Sequence, residues 1–166
     1  MLVIFGASGD LTHKKLMPAL YSLMLRRLLP ARLAVVGVAR TEADDDAFRS
    51  DMKEAVQQHA RDEFSDDVWE ELAANMHYVA TDFADDGGER KLEELVGKLD
   101  SELDLGGNRL YYLAVPPSAH PVIVEALGKE PNEKGWTRVI VEKPFGHDLE
   151  SARRLNTLLA DRKSVV

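Results

Sequence analysis

The chain has 166 residues, 45% hydrophobic and 30% charged, with 11 glycines and 7 prolines, enough to bury a core and to fold as a single domain over residues 1–166. Its 21 basic against 29 acidic side chains give a formal charge of −8, which argues against a broad nucleic-acid or anionic-lipid surface and confines any phosphate site to a local arrangement. The lack of cysteine excludes disulfides, thiolate nucleophiles and cysteine-held metals and points to a reducing compartment, the cytoplasm by default; no apolar run approaches the roughly 20 residues of a membrane span.

Met1 to Gly6 has no basic flank and is too short for a secretory signal, so Leu2 to Phe5 reads as a first strand. A helix follows, with Leu16, Leu20 and Leu23 as its apolar stripe and Pro18 near its regular start. Leu33 to Val38 is the second strand, and Glu42 to His59 and Ser65 to Asn75 read as polar, solvated helices. Met76 to Val79 is the third strand, followed by a helix striped with Leu92, Leu95, Val96, Leu99 and Leu103. Leu110 to Val115 and Arg138 to Val141 are the fourth and fifth strands, with helices expected over Pro121 to Leu127 and Leu149 to Leu159. Charge is unevenly spread: Glu42 to Asp104 holds 21 acids and 6 bases, the remainder 8 acids and 15 bases. The acidic middle reads as a solvated face.

Most strand candidates are continuous apolar runs, as expected when helices cover both faces of a parallel sheet. The strand–helix alternation predicts an α/β fold with a doubly wound parallel sheet, a Rossmann-like domain of three layers, α/β/α, with strand order 3-2-1-4-5. Such folds often carry a sixth strand and a partner domain, so the chain reads as part of a longer protein. In an open parallel sheet the ligand crevice lies beyond the carboxyl ends of the strands, and four post-strand segments stand out.

The first is Gly6-Ala7-Ser8-Gly9-Asp10-Leu11-Thr12, where two glycines let the backbone approach a phosphate and N–H groups at a helix start face it, with Lys14 and Lys15 adding positive charge. The plainer alternative is a glycine turn with Asp10 or Thr12 as helix cap. The second is Arg40-Thr41: an acid there holds the ribose of NAD, whereas an arginine forks onto the 2′-phosphate of NADP. A solvated Arg40 paired with Glu42 or Asp44 is the alternative. Ala114 to Ser118 forms a stiff Pro-Pro corner suited to an apolar wall, or simply an ordinary loop. In the fourth, Glu142-Lys143-Pro144, the proline keeps Lys143 extended at the strand end, where its ammonium could enter the crevice or be merely solvated. Asp82-Phe83 after the third strand is a weaker adenosine contact, with helix capping as the alternative. His13, His59, His77, His120 and His147 show no metal spacing and read as surface or core residues, although His120 could reach the crevice.

These segments together resemble the coenzyme-binding domain of the glucose-6-phosphate dehydrogenase family, nearly end to end. The resemblance rests on Val3 to Leu11, on Lys15 to Tyr21, on Arg109 to Pro117 and, most specifically, on Val141-Glu142-Lys143-Pro144-Phe145-Gly146-His147-Asp148-Leu149. It implies that Gly6, Ala7, Ser8, Gly9, Asp10 and Leu11 wrap the NADP pyrophosphate, that Arg40 and Thr41 meet the 2′-phosphate, and that Asp82 and Phe83 lie near adenosine. Ala114, Pro116 and His120 would belong to the coenzyme site; His120 stands where the family often has a tyrosine. Lys143 would contact coenzyme and sugar, with Pro144 governing their alignment. The family oxidises glucose 6-phosphate by hydride transfer to NADP, with a histidine as general base. That base and the sugar-phosphate segment are expected outside these 166 residues, so the chain alone should bind coenzyme weakly and turn over nothing measurable. A homo-oligomer is expected of the longer protein, with no metal, nucleic acid or membrane partner. Two other readings stay open: a sugar oxidoreductase of another family that shares the Glu-Lys-Pro motif, and a non-catalytic NADP-binding or assembly module.

Overall fold

Strand β1 (Leu2–Phe5) is buried at every position, because it runs down the middle of a sheet covered on both faces. It pairs in parallel with β2 (Val35–Ala39) on one side and β4 (Arg109–Leu113) on the other; β3 (Met76–Ala80) and β5 (Thr137–Val141) form the edges. The order is β3-β2-β1-β4-β5, the doubly wound arrangement expected from right-handed crossovers. The computed structural model describes residues 1–82, 87–127 and 134–143, with 153, 156 and 157. Phe83, Pro144 and most of the helix expected over Leu149 to Leu159 lie outside the described residues.

Successive side chains of a strand point to opposite faces, and here both faces are apolar. Leu2, Ile4, Val35 and Met76 pack against α1 (Met17–Leu25), α2 (Asp45–His59) and α3 (Asp66–Ala73). Val3, Phe5, Val36, Val38 and Leu113 pack against α4 (Gly88–Leu103) and α5 (His120–Leu127). The helices read as solvated are in fact amphipathic. Phe48, Met52 and Val56 of α2 and Trp69 and Leu72 of α3 are buried, at spacings that put them on one face of each helix.

The stripe predicted for the first helix is displaced by one residue. The buried positions are Met17, Pro18 and Tyr21, while Leu16 and Leu20 are half-buried and Leu23 is exposed. Two features explain the phase. The segment is apolar almost all round, so periodicity selects no face. Tyr21 then decides, because its hydroxyl donates to the Glu63 carbonyl at 3.1 Å and accepts from the Ser65 N–H at 2.7 Å, while its ring stacks on Phe64. Ahead of Pro18 the helix opens into a π-turn over Thr12–Leu16, closed by the Met17 N–H on the Thr12 carbonyl. A wider turn suits a residue with no N–H and a ring that crowds the preceding turn.

The edge strand β3 is closed by α2. Asp45 accepts from the Tyr78 N–H at 2.7 Å and pairs with His77 at 2.8 Å, and Arg49 donates to the Met76 carbonyl at 2.7 and 3.0 Å. These outward backbone groups are thereby withheld from other chains. The acidic middle segment is thus partly structural.

Gly37, within β2, lies under α2: a β-carbon there would sit 2.5 Å from Phe48 Cζ and 2.9 Å from the Ala7 β-carbon. Gly37→Ala is therefore expected to lower unfolding stability by about 1–3 kcal/mol through overpacking, read as a shift in the urea midpoint with unchanged slope.

Candidate functional site

All five strands run the same way, so their carboxyl ends share one edge of the sheet, and the chain leaves that edge in opposite directions on the two sides of the β1–β4 pair. From β1 it passes to the α1 face; from β4 it passes to α5 on the other face. The crevice opened by this divergence is a cavity of about 580 Å³, in the size range of small-molecule sites.

One wall is the turn after β1. Gly6 has φ +84°, and a β-carbon on it would lie 2.2 Å from the Ala114 carbonyl oxygen, so only glycine fits. Gly6 and Ala7 both donate N–H to the Val38 carbonyl, at 2.9 and 3.1 Å, and Gly9 donates to the Gly6 carbonyl at 3.0 Å. Those three amides are engaged. Among the backbone hydrogen bonds of the described residues, Ser8 and Asp10 donate none, which leaves their N–H groups at the helix start for an anion. Gly9 differs from Gly6: its φ is not in the left-handed region, and the one atom near its absent β-carbon is the Gly6 carbonyl oxygen at 3.1 Å. Neither Asp10 nor Thr12 acts as a helix cap. Thr12, fully buried, donates its hydroxyl to the Gly6 carbonyl at 3.0 Å. The Asp10 carboxylate instead accepts from Lys14 at 2.9 Å, which holds its pKa below the usual range.

The second wall carries Arg40 and Thr41. Arg40 pairs with neither Glu42 nor Asp44; Asp44 caps α2 by accepting from Ala47 at 2.8 Å. The Arg40 side chain is 82% exposed and approaches Asp82, which follows the neighbouring strand β3, at 4.0 Å. The Thr41 hydroxyl donates to Ser8 Oγ at 3.4 Å, joining this wall to the turn. Asp82 does not cap α4, which begins after Gly87; Gly88 instead lets the helix start close on Thr81 and the Asp82 carbonyl. The third wall is apolar, with Ala114, Val115 and Pro116 facing Ala119, Val122 and Ile123.

The crevice thus gathers Gly6, Ser8, Gly9, Arg40, Thr41, Asp82, Ala114 and Pro116. Other expected residues stand elsewhere. Ala7 is fully buried in the α1–α2 core, and Asp10 and Leu11 do not line the cavity. His120 is 1% exposed and lies behind the Pro-Pro corner, with Nε2 donating to the Val115 carbonyl at 3.1 Å. As the first residue of α5 its ring turns inward, so it props the corner from beneath and does not enter the crevice. Its Nδ1 has no partner among the described residues, and burial lowers its pKa from the ordinary value. Lys143 is exposed just past β5, on the same sheet edge but outside the cavity lining. Sequence inspection missed the Tyr112–Glu142 hydrogen bond, which ties β4 to the residue before Lys143; burial and the Glu142 carboxylate push the Tyr112 phenol up to about 12. A tyrosine on β4 and a glutamate just past β5 gave no short-range signal. Among the described residues no group of side chains could hold a metal ion.

A family model described as the NAD binding domain of glucose-6-phosphate dehydrogenase matches residues 3–164. The chain belongs to the glucose-6-phosphate dehydrogenase family. Glucose-6-phosphate 1-dehydrogenase 2 of Mycobacterium tuberculosis (strain ATCC 25618 / H37Rv) is 45% identical over 159 residues, covering 93% of this chain and 31% of the relative. The Chlamydia pneumoniae glucose-6-phosphate 1-dehydrogenase is 41% identical over 162 residues, covering 93% of this chain and 32% of that enzyme. Among solved structures, a glucose-6-phosphate dehydrogenase in complex with its substrate glucose-6-phosphate superposes with a TM-score of 0.83 at 35% identity, covering 96% of this chain and 33% of that one. The Mycobacterium avium enzyme gives 0.78 at 38% identity, with the same coverages. The chain therefore spans about a third of the length of these family members.

The inward His120 sets a pH dependence. Its folded pKa lies below the ordinary value, so its contribution to stability is present above pH 6.5 and is lost as pH falls, when the unfolded chain binds a proton that the folded pocket refuses. His120→Gln retains a donor for Val115 without that titration. In urea unfolding between pH 7 and 5 the variant should gain on the parent, with a difference in slope of at most about 1.4 kcal/mol per pH unit.

Proposed function

We propose that the chain is the coenzyme-binding part of an NADP-dependent glucose-6-phosphate dehydrogenase, which converts D-glucose 6-phosphate to 6-phospho-D-glucono-1,5-lactone in the oxidative pentose phosphate pathway. Family membership supports the reaction class. The observation that carries the coenzyme assignment is the exposed Arg40 guanidinium on the rim of the same crevice as Gly9, where an NAD-selective site would place an acid. The turn fits a diphosphate: Gly9 lacks a β-carbon at a φ outside the left-handed region, where a β-carbon would meet only the Gly6 carbonyl oxygen at 3.1 Å, and the Ser8 and Asp10 amides donate to no backbone carbonyl among the described residues.

NADP, when bound, supplies the nicotinamide that accepts the hydride from C1 of the sugar. The chain's own residues bind and orient. Ser8 and Asp10 would hold the diphosphate by backbone N–H groups, with Gly9 letting it approach the backbone; Arg40 and Thr41 would hold the 2′-phosphate; Asp82, beside Arg40, would border the adenosine. Ala114, Pro116 and Val122 line the crevice and would form the apolar wall for the nicotinamide, keeping water from its reacting face. Lys143 at the end of β5 would donate to sugar and coenzyme. Homo-oligomer assembly of the longer protein and a cytoplasmic location complete the reading; no helix among the described residues is long and apolar enough to cross a membrane.

Arg40→Asp should weaken NADP binding roughly ten- to a hundredfold by removing charge-assisted bonds while changing NAD binding much less, as read by calorimetry with each coenzyme; equal losses would remove the NADP assignment. The two glycines separate folding from binding. Gly6→Ala should abolish the cooperative thermal transition, whereas Gly9→Ala should keep it and lose coenzyme affinity.

A further inference from the structure

His13 stands one helical turn after Gly9, and both of its ring nitrogens are engaged. Nδ1 is 2.9 Å from the Gly9 carbonyl oxygen, and Nε2 is 2.7 Å from Asp51 Oδ2 on α2. A carbonyl and a carboxylate offer only lone pairs, so both bonds exist together only when both nitrogens carry hydrogen. The arrangement is that of an imidazolium. The charges around it favour that state. Asp51 faces it from α2, and Asp10 acts on it from its own turn. Lys14 is bonded to Asp10, and His59 at the far end of α2 also acts on Asp10. Met17–Leu25 of α1 contains no charged residue. Burial opposes the charge, yet the Gly9 carbonyl and the Asp51 carboxylate hold the His13 pKa above its ordinary value.

The bond to Gly9 matters for the site because a peptide unit is planar and trans. The Gly9 carbonyl and the Asp10 N–H belong to one such unit and point opposite ways. The carbonyl also accepts the His13 backbone N–H at 3.2 Å. Two donors from one residue therefore pull the carbonyl toward the helix and turn the Asp10 N–H outward.

We propose that His13 is a positioning residue for the coenzyme: clamped as an imidazolium between Gly9 and Asp51, it holds the Asp10 N–H outward at the helix start, next to Ser8 and Gly9 of the crevice wall, and makes diphosphate binding depend on its own proton. The proposal rests on the coenzyme reading above. The protonated ring also places a positive charge beside the turn, paired with Asp51 of α2 as Lys14 is paired with Asp10. Linkage makes the effect reciprocal: bound coenzyme tightens the hold on the proton by the factor by which the proton tightens coenzyme binding.

Two measurements on the 166-residue chain test it. The His13 ring is titrated by NMR from pH 5 to 9, with and without NADP, while the Asp10 amide is followed. NADP affinity is measured by calorimetry at pH 6 and 8.5 for the parent, His13→Gln, His13→Lys and Asp51→Asn. The ring should titrate above the ordinary histidine value near 6.5, higher again with NADP, and the Asp10 amide should shift with the same midpoint. Between pH 6 and 8.5 the parent should lose roughly three- to tenfold in affinity relative to His13→Lys, which keeps a cation without titrating in that range. His13→Gln should be weaker than the parent at pH 6 and equal to it at pH 8.5, and Asp51→Asn should move the midpoint down. The 2′-phosphate titrates in every sample and cancels when variants are compared at one pH. A ring that titrates at or below the ordinary value, or parent and variant affinities that run parallel with pH, overturns the proposal alone. NADP failing to bind the parent at any pH overturns the coenzyme reading together with it.

Discussion

Between Gly6 and the Ala114 carbonyl there is no room for a β-carbon, since the nearest atom would be 2.2 Å away. That closeness is the constraint on which the domain depends. It lets the chain leave β1 directly beside the place where it leaves β4, although the two exits lead to helices on opposite faces of the sheet. Gly6 takes its left-handed φ there and gives its N–H to Val38 of the neighbouring β2. Three adjacent strand ends are thereby fastened at one point. The crevice, its glycine turn and its apolar wall are consequences of that junction, because they are the surfaces exposed where the two exits part.

An acidic domain that binds a polyanion must do so with few, well-placed groups. Several arginines remote from the crevice are paired with acids: Arg26 with Asp62, Arg27 with Glu71, and Arg32 with Asp104. Arg40 is held only at 4.0 Å by Asp82 and stays largely exposed. Backbone amides at a helix start add partial positive charge without attracting anions elsewhere on the surface. Two acids of the middle segment have structural roles, since Asp44 caps α2 and Asp45 closes the edge of β3. The net charge of −8 is therefore compatible with a local anion site.

Much of this was legible in the residues. Continuous apolar runs such as Leu2 to Phe5 and Val35 to Val38 require cover on both faces, and with chain order and the right-handed crossover they yield the observed strand order. Gly6, Ser8, Gly9, Arg40 and Thr41 were legible as crevice residues because the carboxyl ends of parallel strands must share an edge. The individual orientation of neighbouring residues was not. Ala7 follows Gly6 directly yet points into the core, and His120 follows the Pro-Pro corner yet lies beneath it. Both depend on which way a turn rotates a side chain, and spacing does not encode that rotation.

Local chemistry, then, determined the element order, the parallel sheet and the set of segments that meet at its carboxyl edge, since burial of apolar strands and the sterics of glycine and proline act over a few residues. Tertiary structure alone decided the face that α1 buries, the pairing of Arg40 with Asp82 in place of its sequence neighbours, and the double engagement of His13. Each of these joins groups tens of residues apart, such as Tyr21 with Glu63 and Ser65 or His13 with Asp51. Such contacts are chosen by the packing of whole helices against the sheet, a long-range condition that no short stretch of chain contains.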